Sequence, residues 1–300
     1  MQQQALFKES QKAVAKAVNV ASVPQRSPFR YPGGKTWFIP WLRNWLKHFS
    51  QRPSLLVEPF SGGGIVSLTA AAEKLTDRVY MSELDADVAA VWESVTDGKA
   101  EDLARRILEF DLTKENVLAE LSQPSDVTVE RAFQTILRNR ASHGGIMANG
   151  SGLIKNGESG KGICSRWYPD TLARRFREID RIRDRIFFER ADAFSVLERF
   201  REDPDAVFFI DPPYTAGGKR AGSRLYRHFE LNHEELFRAC CSLRGDFIMT
   251  YDNAMEVRGL ARRFGLQYAP IPMKNTHHAA MTELVVGRDL SWMNRIDNQA

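Results

Sequence analysis

The chain has little cysteine, no long apolar run and no spacing of residues that suits a metal. Its three cysteines are Cys164 and the neighbours Cys240 and Cys241. So sparse and odd a set excludes a disulfide scaffold, and without a Cys-x-x-Cys pair or a Cys/His cluster no zinc site is expected. A reducing, cytoplasmic setting is the expected one. No apolar stretch approaches the roughly 18 residues of a membrane helix, and mean hydropathy is −0.38, so no membrane partner is expected. The first 26 residues are rich in Gln, Lys and Ala and lack the apolar block of a secretory signal. Internal repeats are missing too. What remains is 300 residues, 43% hydrophobic and 27% charged, enough for a sizeable core in one large domain or two ordinary ones.

The net charge of +4 says little until it is divided along the chain. Residues 131–190 hold 13 Lys and Arg against 6 Asp and Glu, and residues 215–228 hold Lys219, Arg220, Arg224 and Arg227 with no acid. The rest carries 25 basic against 32 acidic residues. Two basic islands on an acidic body suggest a face for a polyanion, although charge alone fits solvated helix faces equally well.

Packing begins at Pro28-Phe29-Arg30-Tyr31-Pro32-Gly33-Gly34-Lys35, a turn-forming run, which leads into a helix bearing Trp41, Leu42, Trp45, Leu46 and Phe49 on one face. A strand over 55–57, a glycine-rich loop, a helix over 65–75, a strand over 78–82 and a helix over 88–95 follow. That alternation opens a doubly wound α/β sheet. Between about 100 and 185 it gives way to helical stripes, Ala132/Phe133/Ile136/Leu137 and Leu172/Phe176/Ile179/Ile182, with seven glycines from Gly144 to Gly162 between them. Strands resume over 186–188, 206–210, 247–251, 265–271 and 282–287. The expected organisation is a flexible arm over 1–27, a catalytic sheet domain over 28–100 and 186–300, and a helical insertion over 101–185.

Asp211-Pro212-Pro213-Tyr214 follows the most apolar strand, and so sits at the carboxyl edge where open α/β sheets bind ligands. The prolines hold an extended loop. A carboxylate, a proline carbonyl and an aromatic face make a slot for a planar group bearing –NH₂: Asp211 and the Pro212 carbonyl accept its protons, and Tyr214 stacks on the ring. The bland alternative is a turn whose aspartate caps an amide. Glu58 to Gly64 lets a ligand approach backbone at a helix N-terminus. It is neither Gly-x-Gly-x-x-Gly nor a P-loop, and its leading acid favours a cationic or hydroxyl-bearing ligand over phosphate. Glu83 ends the second strand, where acids hold ribose hydroxyls, and Asp192 ends the third, placed to accept from an adenine amine. One such acid is often a helix cap; three in successive βα units point to a nucleoside-containing cofactor.

These residues resemble a known family. Phe29-Arg30-Tyr31-Pro32-Gly33-Gly34-Lys35, Glu58-Pro59-Phe60-Ser61-Gly62-Gly63-Gly64 and Asp211-Pro212-Pro213-Tyr214 are similar to the motifs of Dam-type DNA adenine methyltransferases, in that family's order. Thr250-Tyr251-Asp252 and Thr282-Glu283-Leu284-Val285-Val286 resemble its later strands, so the likeness spans about residues 28–287. It implies a class I methyltransferase sheet with a DNA-recognition insertion, S-adenosylmethionine as methyl donor and the exocyclic amine of a flipped-out adenine in duplex DNA as acceptor. Tyr31, Gly34, Lys35, Phe60 and Gly62 would then line the cofactor, with Glu58, Glu83, Asp192 and Asp211 as its acids, and Asp211, Pro212 and Tyr214 would carry catalysis. Tyr31 stands where Dam itself has Trp, and Glu83 where the family usually has Asp. Asn139 to Gly145 follows the family's base-reading hairpin only in part, so no recognition sequence carries over.

Residues 215–228, with their glycines and four basic residues, are the expected lid over the flipped nucleotide, with Lys219, Arg220 and Arg224 on its phosphates. Arg138, Arg140, Lys155, Lys161 and Arg166 are the expected groove and backbone readers. A monomer in solution is expected, and a cognate restriction enzyme fits the same reading. Three alternatives compete: a dinucleotide oxidoreductase, which lacks its glycine fingerprint here; a methyltransferase acting on cytosine or glutamine, where Ser or Asn usually replaces Asp211; and a silent DNA-binding relative.

Overall fold

The computed structural model describes residue 18 and residues 20–30, 34–145, 152–157, 160–213, 231–274 and 280–295. A single 3₁₀ turn, Lys35–Phe38, runs into helix α1 (Ile39–His48), whose Pro40 lies in its first turn, where the missing N–H costs nothing. Trp41, Leu42, Trp45 and Leu46 form its buried face. The order is then β1 (Leu55–Glu58), α2 (Ile65–Ala72), β2 (Arg78–Ser82) and α3 (Ala86–Thr96). Helices α4 (Ala100–Glu109), α5 (Lys114–Leu121), α6 (Thr128–Ala141) and α7 (Pro169–Asp180) come next. The chain returns to the sheet through β3 (Ile186–Glu189), α8 (Ala193–Arg199), β4 (Ala206–Ile210), α9 (His233–Ser242), β5 (Phe247–Asp252), α10 (Met255–Arg263), β6 (Gln267–Lys274) and β7 (Ala280–Gly287).

The seven strands form one sheet in the order β3-β2-β1-β4-β5-β7-β6. Strands β1 to β5 run parallel, while β7 lies antiparallel between β5 and β6. The order reverses between β1 and β4, which places their carboxyl ends, Glu58 and the residues after Ile210, at the switch point of a doubly wound sheet. Because β7 runs backwards, its early residues reach that same edge: Glu283 is in register with Asp252 at the end of β5.

Two apolar clusters cover the sheet. One joins α1, α2 and α3 to Leu103 and Ile107 of α4, Phe133 and Ile136 of α6, and Leu172 and Phe176 of α7. The helical insertion therefore adds to the sheet's own core rather than enclosing a separate one. The other cluster holds Val57, Phe208 and Ile210 against Leu236 and Phe237 of α9 and Leu284 of β7. β4 is buried at all five positions, as a central parallel strand covered on both faces must be.

The expectation of a flexible arm over 1–27 is corrected at its end. Val23 belongs to the core, Arg26 pairs with Glu73 at 3.3 Å, and Ser27 bonds Gly63 of the loop after β1. Among the described residues no helix is long and apolar enough to cross a membrane.

Candidate active site

Glu58 closes β1 and is buried, with the amide of Ser67 donating to its Oε2 at 3.0 Å. Loss of water pushes its carboxyl up to about 8, a shift that Asp211 adds to and Lys35 opposes. The loop that follows is tightly specified. Ser61 donates its amide to Ser82 O, Ser82 Oγ donates to Pro59 O, and Trp92 Nε1 donates to Gly62 O. Gly64 starts α2 at φ +63°, and a Cβ there would sit 2.6 Å from Met81 Cε and 2.9 Å from Trp92, so only glycine fits. Phe60 is half-buried against the second cluster.

Glu83 accepts the Gly62 amide on Oε2 and the Leu84 and Asp85 amides on Oε1, all within 3.0 Å. It thus staples the β1 loop to the end of β2. Three of roughly four acceptor sites are used, and burial raises its carboxyl despite these donors. Asp192 is exposed and caps α8, taking the amides of Phe194 and Ser195 on Oδ1. The capping role weighed for such an acid is what this side chain performs.

Asp211 follows β4, one fifth exposed, between Pro212, which is buried, and the strand. Its Oδ1 takes two partners, Thr250 Oγ1 at 2.7 Å from β5 and Lys35 Nζ at 3.0 Å from the turn before α1. No described residue donates to Oδ2. Burial raises the Asp211 carboxyl, while Lys35 and Thr250 pull the other way. Lys35 is 3% exposed and also faces Glu283 Oε2 at 3.5 Å. Burial pushes the Glu283 carboxyl up to about 7, against the pull of Lys35. One ammonium therefore pairs with two carboxylates, Asp211 just after β4 and Glu283 of β7, and acts electrostatically on a third, Glu58 of β1. Gly34 is exposed at the head of the Lys35 turn.

Two of these groups were not picked out as site residues from sequence. Thr250 and Glu283 lie inside recognised strand motifs, and their signal is a hydroxyl late in one otherwise apolar strand and an acid early in another. Asn139 was missed as well. Fully buried on α6, it accepts the Arg30 amide and donates to the carbonyls of Arg30 and Gly145, all at 2.9 Å. It ties the insertion to the segment that carries Lys35. Gly145 has φ +75°, and a Cβ there would lie 2.3 Å from Arg30 O.

The expected DNA readers divide. Lys155 and Lys161 are exposed, just beyond an antiparallel neck in which Ser142 pairs with Leu153. Arg138 is half-buried and faces Asp87 at 3.5 Å, and Arg166 is half-buried. Arg140 is corrected: it is 4% exposed and bonds Pro28 O. Burial, with Arg175, Arg30 and Arg166 nearby, lowers its guanidinium to about 9, so it braces the fold instead of facing solvent. Tyr31, Tyr214, Lys219, Arg220 and Arg224 lie outside the described residues.

The strand order, the reversed seventh strand and the acids along one sheet edge define a methyltransferase of the doubly wound class. The family model for D12 class N6 adenine-specific DNA methyltransferases matches residues 31–269, and the chain belongs to that family. No curated protein matches it in sequence. Solved structures overlap it over most of its length at low identity. A proposed RNA methyltransferase from Pyrococcus horikoshii is 10% identical at TM-score 0.38, with 86% of this chain and 84% of that one covered. A precorrin-6y C5,15-methyltransferase from Geobacter metallireducens is 9% identical at TM-score 0.36, with 94% and 95% covered. An rRNA methyltransferase from Streptomyces viridochromogenes is 14% identical at TM-score 0.35, with 83% and 82% covered.

S-adenosylmethionine is the methyl donor of this family, and the edge suits it. Acids with raised carboxyls, Glu58 and Glu83, stand there to meet a cationic or hydroxyl group, and the Glu58–Gly64 loop presents backbone beside them. Glu58, Phe60, Gly62 and Glu83 would hold the cofactor.

Proposed function

We propose that the protein is a site-specific DNA methyltransferase acting on the exocyclic amine of adenine, with the base turned out of the duplex. The observation that carries this reading is the state of Asp211. Thr250 and Lys35 occupy Oδ1, and Oδ2 has no described donor, so one oxygen is held while the other faces an incoming N–H. The adenine amine is a weak nucleophile because its lone pair is delocalised into the ring. Asp211 Oδ2 and the Pro212 carbonyl accept its two protons and favour a pyramidal nitrogen.

When bound, S-adenosylmethionine supplies an activated methyl group. Positive charge then grows on the amine nitrogen, and a fixed carboxylate about 4 Å away is worth roughly 4 kcal/mol at an effective dielectric of 20. That stabilisation is larger in the transition state than in the ground state, as catalysis requires. Turning the base out costs a few kcal/mol. Lys155 and Lys161 on the insertion contact the phosphates.

The test is Asp211→Ala with labelled cofactor and unmethylated duplex DNA, followed by digestion to nucleosides. Loss of N6-methyladenine with the fold intact and cofactor binding weakened is expected. Transfer near the wild-type rate, or label in cytosine, overturns the reading.

A further inference from the structure

Lys35 is a single buried cation shared by two carboxylates from different strands. It lies 3.0 Å from Asp211 Oδ1 and 3.5 Å from Glu283 Oε2, with side-chain exposures of 3%, 20% and 6% respectively. Among the described residues no donor reaches Glu283 Oε2 in hydrogen-bond geometry, and the cation within 4 Å of that oxygen is the Lys35 ammonium. An acid kept in so dry a place for stability alone would be poorly placed, since desolvation there costs more than one long ion pair returns. We infer that Glu283 is a positioning residue for methyl transfer: it draws Lys35 partly away from Asp211, so that Lys35 orients the Asp211 carboxylate without neutralising it.

The physical reasoning is a division of charge. If Lys35 paired with Asp211 alone, the pair would present almost no net charge to the amine, and the growing positive charge on nitrogen would gain little. With Glu283 opposite, the buried set of Asp211, Lys35 and Glu283 is net negative, and the excess lies at the edge where the amine arrives. Thr250 fixes Oδ1 from the third side. Burial is the first cause of the upward shift of Glu283, and Asp211 and Asp252 add to it while Lys35 opposes it. Glu58 faces Asp211 and Lys35 from β1, and Tyr251 lies near Asp211 from β5. Protonating Glu283 removes the opposing pull and returns Lys35 to Asp211. The rate should therefore fall as pH drops through about 7, the value to which Glu283 is raised.

This inference rests on the reading of Asp211 as the acceptor for the amine, and the experiment separates the two. Single-turnover methyl transfer to duplex DNA is measured from pH 5.5 to 9 for wild type, Glu283→Gln and Asp211→Asn, with cofactor affinity by calorimetry and fold by thermal unfolding. Glu283→Gln is expected to bind cofactor and DNA within about twofold of wild type and to lose about tenfold in rate above pH 8. Its deficit should close below pH 6, where wild type carries a protonated Glu283. The other acids, Glu58 included, titrate in both proteins, so the ratio of the two profiles isolates Glu283. A Glu283→Gln rate equal to wild type at pH 8.5, a deficit unchanged with pH, or one matched by lost cofactor affinity overturns the inference. Asp211→Asn inactive with Glu283→Gln unimpaired sinks it alone; Asp211→Asn at full rate sinks the reading of the site as well. Should Glu283→Gln fail to fold, Glu283→Asp, which withdraws the carboxylate by one methylene, carries the same readouts.

Discussion

Each acid at the sheet edge is held by a different balance, and the balances predict different behaviour. Glu58 is buried with one amide donor, and its carboxyl is pushed up to about 8. Its folded value thus lies above its unfolded value near 4.5, so it holds a proton at neutral pH that the unfolded chain has released. The fold is favoured below about 4.5 and loses a few kcal/mol as pH rises from there through about 8. Without cofactor, the melting temperature should fall more steeply between pH 5 and 8 in wild type than in Glu58→Gln. A cationic cofactor end beside Glu58 should expel that proton, so calorimetry at pH 7 in two buffers of different ionisation heat should report proton release for wild type and less for Glu58→Gln. Equal release from both would remove Glu58 from the cofactor's cationic end. Thr250 gives a second outcome. Thr250→Val keeps the volume but deletes the 2.7 Å bond to Asp211 Oδ1, so the methyl-transfer rate should fall about tenfold with little change in cofactor affinity, and Thr250→Ser should restore most of it.

Among the elements, strands were the most legible part of the sequence. β2 and β4 lie where their apolar runs end, at Arg78–Ser82 and Ala206–Ile210, because charged or turn-forming residues bound both. β6 and β7 are longer than their apolar cores, 267–274 and 280–287, because antiparallel pairing carries Pro270, Pro272 and Thr282 along with the buried residues. Strand direction cannot be read from period-two alternation, and it is the reversal of β7 that brings Glu283 beside Lys35. Asp211 could be found because four unusual residues follow an apolar strand; Glu283 could not, because its partner is almost 250 positions away. Helix α6 shows the same limit. Its apolar stripe was plain, but Asn139 next to it gave no sign that it would clamp Arg30. Asn139→Ala deletes the bonds to the Arg30 amide and to the carbonyls of Arg30 and Gly145, and the buried Gly145 carbonyl alone stands to lose about 1–3 kcal/mol. The expected result is a melting temperature lowered by several degrees and weaker cofactor binding, because the clamped segment leads into Lys35. Normal cofactor affinity in the folded variant would disconnect α6 from that site.

At the scale of the molecule, the division of charge suggests a face for a polyanion but not which arginines would touch it. The basic segment 131–190 was counted as one island, yet burial splits it: Arg140 is interior and Arg138 faces Asp87, while Lys155 and Lys161 stand in solvent beyond the Ser142–Leu153 neck. The insertion shares the sheet's core through α4, α6 and α7, while its exposed lysines lie outside that core. The two kinds of basic residue should therefore fail in different ways. Each phosphate contact contributes roughly 0.9 to the slope of log K against log salt for duplex DNA. Replacing Lys155 and Lys161 together by alanine should flatten that slope by up to about 2 and leave the melting temperature unchanged, since neither side chain is buried. Arg140→Ala should do the reverse. It removes a buried guanidinium bonded to Pro28 O, so the melting temperature falls, while the salt slope of the folded fraction stays near wild type. Fluorescence anisotropy with a labelled duplex from 50 to 300 mM salt, beside thermal unfolding, reads both quantities. A flattened slope for Arg140→Ala with wild-type stability would move Arg140 from the brace to the DNA face, and an unchanged slope for the double lysine variant would move the duplex off this insertion.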